Sequence, residues 1–151
     1  MNFLIHLGYT LVLSRILYLD YPELILALIF GVFLDFDHIF RYIPKLINEK
    51  KLLPTNTYMK TFIQEPVFYP VILVLSFILK TYIPLIFFTL HLVLDYPFVN
   101  NNRPLYPLNN FEIKGIFNFK TKVYWIFTIS SIIFFIIIFS INKNYNYFFT
   151  I

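Results

Sequence analysis

The chain has 151 residues, of which 59% are hydrophobic and 13% charged, with a net charge of +4. Soluble domains average roughly 45–50% apolar and about 25% charged residues. So few charges cannot cover a surface while this much Phe, Ile, Leu and Tyr is buried, which excludes a disordered chain, a DNA-binding module and an ordinary cytosolic enzyme, and points to a membrane. The absence of cysteine excludes disulfides, zinc fingers and thiol catalysis.

In chain order, apolar stretches cover residues 3–19, 22–34, 67–79, 82–94 and 123–141. The first lacks a basic leading region and a small-residue cleavage site, so it reads as a helix and not as a signal peptide. The middle stretches are short: thirteen residues of helix cover only about 20 Å of a roughly 30 Å hydrocarbon core. Residues 67–94 read as a hairpin turning at Lys80–Thr81. The alternative, one long helix, would leave Lys80 near mid-bilayer at a cost of roughly 2.5–3.5 kcal/mol and put Pro84 inside the hydrogen-bond ladder. The last stretch has 19 uncharged residues, flanked by Lys120, Lys122 and Lys143, the length of a membrane span. The expected fold is therefore all-α: one membrane-embedded domain over residues 1–151 with about five apolar helices, some of them short.

Threading these helices through a bilayer gathers nine of the twelve basic residues on the side of the N-terminus, against Arg15, Lys80 and Lys143 on the other. By the positive-inside rule the N-terminus and the two long loops are cytoplasmic, which makes the chain a multi-pass protein of the cell membrane. Most of these lysines need do no more than set that topology or meet anionic headgroups.

Six of the eight acids and all three histidines fall on the same side. Ionisable groups at membrane depth are costly and mark candidate sites. Gly31-Val32-Phe33-Leu34-Asp35-Phe36-Asp37-His38 puts two carboxylates and an imidazole at the exit of an apolar helix. His91 and Asp95 are one helical turn apart on another, and His6 lies in the first helix. Carboxylate with imidazole suits Zn²⁺, Mn²⁺ or Fe²⁺. A hydrated helix end, a self-satisfied His–Asp pair and an interfacial histidine are the plainer alternatives for each feature alone. The topology brings His6, Asp35, Asp37, His38, His91 and Asp95 to one membrane level, and that favours a shared site.

These motifs resemble the YdjM-like membrane-bound metal-dependent hydrolases, which have archaeal relatives. That family has a first-helix histidine, a Gly-x-x-x-Pro-Asp-x-Asp-His motif after the second helix, a His-Arg-x-x-Thr-His-Ser motif, and a His-x-x-x-Asp helix leading into a proline-containing loop. The counterparts here are His6, then Gly31 through His38 with Leu34 in the proline's place, then His91 with Asp95, together covering most of residues 1–107. The third motif departs: the chain reads Met59-Lys60-Thr61-Phe62-Ile63-Gln64-Glu65, without either histidine. The family is similar to the helical zinc-dependent phospholipase C group. The resemblance therefore implies a zinc-dependent phosphoester hydrolase acting on a lipid headgroup or lipid-linked phosphate, with manganese or iron as other ions. It implies metal ligands His6, Asp35, Asp37, His38, His91 and Asp95, catalytic roles for Asp37 and Glu65, and substrate contacts from Lys60 or Arg103. The lipid bilayer is the expected partner, and nucleic acid is not expected. The missing histidines leave open a degenerate member serving as a membrane scaffold or partner-binding protein. Acids gathered at one surface, away from the midplane, weigh against a transporter.

Overall fold

Prolines start three of the helices. Pro22, Pro70 and Pro84 each lie in a first turn, where a missing N–H is no loss and the fixed φ suits the helix. The computed structural model describes residues 3–36, 62–97, 102–116 and 122–141. Among them are five α-helices and no strand: α1 (Phe3–Ile16), α2 (Tyr21–Gly31), α3 (Tyr69–Leu79), α4 (Ile83–Asp95) and α5 (Lys122–Ile141). A capping box sets the start of α2. The Glu23 N–H donates to Asp20 Oδ1 at 2.9 Å, and Glu23 Oε2 accepts from the Asp20 N–H at 3.3 Å.

α1 and α3 end alike. Tyr18 and Lys80 adopt left-handed conformations, with φ of 53° and 54°, and the N–H groups of Leu19 and Thr81 reach back to the carbonyls of Ser14 and Ser76, both at 3.1 Å. This wrap closes the last helical turn. At Lys80 it makes the hairpin expected from the sequence, so 67–94 is two helices. The Tyr69 hydroxyl donates to Thr89 Oγ1 at 3.1 Å across that hairpin.

α2 packs chiefly against α4, α1 against α5, and α1 also meets α4. The core between α2, α3 and α4 consists of Ala27, Phe30, Ile72, Ile83, Phe87, Phe88 and Leu92. Over its described residues no helix is long and apolar enough to cross a membrane; the longest is α5, with 20 residues. The all-helical expectation holds, whereas helix length does not carry its membrane-spanning part.

Candidate metal centre

Three elements far apart in sequence deliver four side chains to one point. α1 contributes His6, on the buried stripe that also carries Thr10 and Ser14 at i+4 and i+8. α2 stops at Gly31, and the chain tightens into a 3₁₀ turn at Phe33–Phe36 that carries Asp35. The last turn of α4 presents His91 and Asp95, both buried. His6 Nε2 lies 3.1 Å from Asp95 Oδ1 and 3.5 Å from Asp35 Oδ2. His91 Nε2 lies 3.5 Å from Asp35 Oδ1 and 3.8 Å from Asp95 Oδ2. The two imidazoles stack with centroids 4.2 Å apart and planes inclined by 14°. The side chains of His6, His91 and Asp95 are wholly buried, and that of Asp35 is 9% exposed.

One ligand atom from each residue lies within 4.8 Å of all the others, and two imidazoles with two carboxylates form a donor set suited to divalent transition metals. The group His6, Asp35, His91 and Asp95 can hold a metal ion. Taking two carboxylates out of water costs several kcal/mol each unless compensated, so a cation there answers an electrostatic need that burial creates.

Surrounding residues fix the ligands. His91 Nδ1 lies 3.2 Å from the Gly31 carbonyl. Because a carbonyl only accepts, Nδ1 carries a proton, which makes Nε2, on the side of the carboxylates, the ring's ligand atom for a metal. Gly31 also allows the close approach of α1 and α4: a Cβ there would stand 2.3 Å from Thr10 Oγ1 and 3.3 Å from Phe87 Cδ1. Gln64 donates through Nε2 to the Leu34 carbonyl at 2.7 Å and to Asp35 Oδ1 at 3.4 Å, tying the 3₁₀ turn to a distant segment. The sequence reading missed Gln64 as a site residue. Its only signal was its place in the third motif, where the family has a histidine.

The remaining expected residues fall differently. Glu65, expected to be catalytic, is outside the converging group. It is buried because its carboxylate ties two segments together, accepting from the Tyr96 hydroxyl at 2.6 Å and from the Arg103 N–H at 3.1 Å. Arg103, expected to bind substrate, has its guanidinium on Glu112. Asn102 and Ile113 bridge, and Val67 N–H reaches the Pro104 carbonyl at 3.1 Å, so the segment that carries Gln64 is tied to the one after α4. Asp37, His38 and Lys60 lie outside the described residues. Set against family models, curated proteins and solved structures, the chain matches none of them.

Proposed function

We propose that the chain is a membrane-embedded metal-dependent hydrolase, similar to the YdjM-like family, that cleaves a phosphoester such as a lipid headgroup or lipid-linked phosphate at the cytoplasmic membrane surface. The observation that carries this reading is the convergence of His6, Asp35, His91 and Asp95 from three elements within 4.8 Å. Zinc is the foremost ion, with manganese and iron suited to the same donors. A divalent ion bound there supplies an activated water and a clamp for phosphoryl oxygens. The four side chains hold it, the Gly31 carbonyl orients His91, and Gln64 orients Asp35. The family resemblance would add Asp37 and His38 to the ligand set and give Asp37 the catalytic role; both lie outside the described residues. The resemblance assigns the anionic substrate to Arg103, whose guanidinium meets Glu112, and to Lys60, outside the described residues.

Membrane embedding is supported by inverted polarity. On α3, Phe77 and Ile78 are 86% and 66% exposed, while the adjacent Ser76 is 6% exposed. Ile126, Ile129, Ile133 and Ile136 of α5 face outward, while Thr128 and Ser131 are buried. Small and hydroxyl-bearing residues inside with large apolar ones outside is the packing of helices in lipid; water-exposed apolar patches of this extent are rare on soluble monomers.

One observation favours a second reading, a scaffold that no longer turns over substrate: the acid of the third motif, Glu65, is committed to holding Tyr96 and Arg103. The full chain, reconstituted in vesicles containing phosphatidic acid and loaded with zinc or manganese, separates the two. The hydrolase releases inorganic phosphate, and a chelator or Asp95→Asn abolishes the release. Bound metal without phosphate release from phosphatidic acid or from p-nitrophenyl phosphate establishes the scaffold instead.

A further inference from the structure

We propose that the His/Asp quartet is a two-ion centre, with one divalent cation on each imidazole and both carboxylates bridging them. The proposal rests on the metal-site reading above and adds to it the number of ions and the charge of the substrate they suit. The first support is the pairing of atoms. Asp35 turns Oδ2 toward His6 and Oδ1 toward His91, while Asp95 turns Oδ1 toward His6 and Oδ2 toward His91. Each carboxylate thus offers one oxygen to each ring. Each imidazole nitrogen in turn faces one oxygen from each aspartate.

The second support is the stacking of the rings. A metal on an imidazole lies in the ring plane, along the nitrogen lone pair, at about 2.0–2.1 Å. A single ion on both nitrogens would have to lie in both planes at once. Here the planes are inclined by only 14° with centroids 4.2 Å apart, so they meet far beyond the reach of a metal–nitrogen bond. Two ions, one in each plane, would instead fall near the roughly 3.5–4 Å separation of two-metal sites. The Gly31 carbonyl, 3.2 Å from His91 Nδ1, holds that ring with Nε2 on the side of the carboxylates.

Charge then indicates the substrate class. Two aspartates formally neutralise a single divalent ion, whereas a second ion leaves the centre with excess positive charge. With two ions the four described ligands leave two positive charges, or one where Asp37 is a further ligand, and either excess favours a phosphate anion. The inferred substrate class is therefore an anionic phosphate ester, in which the clamp acts on the phosphoryl oxygens.

The test is Mn²⁺ loading of the full chain in detergent after chelator treatment, read by equilibrium dialysis with metal analysis and by electron paramagnetic resonance. Two Mn²⁺ per chain with an exchange-coupled spectrum is the expected result. His6→Ala, with its helicity checked by circular dichroism, is expected to take one ion and to give the isolated-ion hyperfine pattern. A wild-type chain that saturates at one uncoupled Mn²⁺ overturns the two-ion proposal and leaves the metal site standing. A wild-type chain that binds none overturns both. A folded His6→Ala chain that still takes two ions overturns the assignment of one ion to each imidazole.

Discussion

Gln64 and Gly31 do different work around the same four side chains. Gln64 reaches Asp35 Oδ1 at 3.4 Å while anchored on the Leu34 carbonyl. Groups that orient metal ligands typically affect affinity by about 10–100-fold, so Gln64→Ala is expected to weaken zinc binding by that range in a competition titration against a chelating dye. Unchanged affinity would show that the turn holds Asp35 unaided. Gly31→Ala meets Thr10 Oγ1 at 2.3 Å, and overpacking of this kind costs about 1–3 kcal/mol. The variant should melt at a lower temperature, and Thr10→Ala in the same chain should restore part of the loss, a coupling that two independent sites would lack. Of these residues only Gly31 was legible in advance, as the first position of a motif. Gln64 is a neutral side chain at a position where the third motif's histidine is missing, and its importance comes from a contact across 29 positions of sequence. Glu65, given a catalytic role by the family resemblance, lies outside the converging group and joins Tyr96 to Arg103.

At the level of elements, the two helical hairpins depend on their turns. Lys80 holds φ 54°, ψ 33°, a conformation that costs a residue with a side chain roughly 1–2 kcal/mol and that glycine adopts freely. Lys80→Gly should therefore raise the thermal midpoint, by the equivalent of about 1 kcal/mol after glycine's own entropic cost is deducted. A lowered midpoint would mean that the lysine side chain stabilises the turn by more than its strain. The helices themselves were readable because hydropathy switches sharply at Asp20, Lys80 and the prolines. The expected stretches 22–34 and 82–94 became Tyr21–Gly31 and Ile83–Asp95. What periodicity could not supply was the break after Gly31. Residues 32–36 are as apolar as the helix before them, yet the chain tightens into a 3₁₀ turn there, and that turn aims Asp35 at two histidines on other helices.

Among the described residues of the whole molecule, several hydroxyl-bearing side chains are buried, as is an apolar core, while many large apolar ones on α3 and α5 face outward. Buried Thr10, Ser14, Ser76, Thr128 and Ser131 line helix contacts, and the four-residue centre occupies the junction of α1, α4 and the turn after α2. In water this arrangement would expose the Phe and Ile side chains of α3 and α5; in lipid it is the favourable one. The expressed chain should stay in the membrane fraction through alkaline carbonate and leave it only with detergent, and release by carbonate would contradict embedding. Of the six ionisable side chains expected to gather, Asp37 and His38 lie outside the described residues, and the other four, His6, Asp35, His91 and Asp95, do gather. Their pairing of one oxygen to each ring depends on rotamers that no spacing specifies. The most direct measurement of the metal centre is the zinc and manganese content of the full chain purified in detergent, beside a helical His91→Ala variant, after both have been offered each ion and dialysed. Stoichiometric metal in the wild type and its loss from the variant is the predicted result; equally negligible metal in both would contradict it.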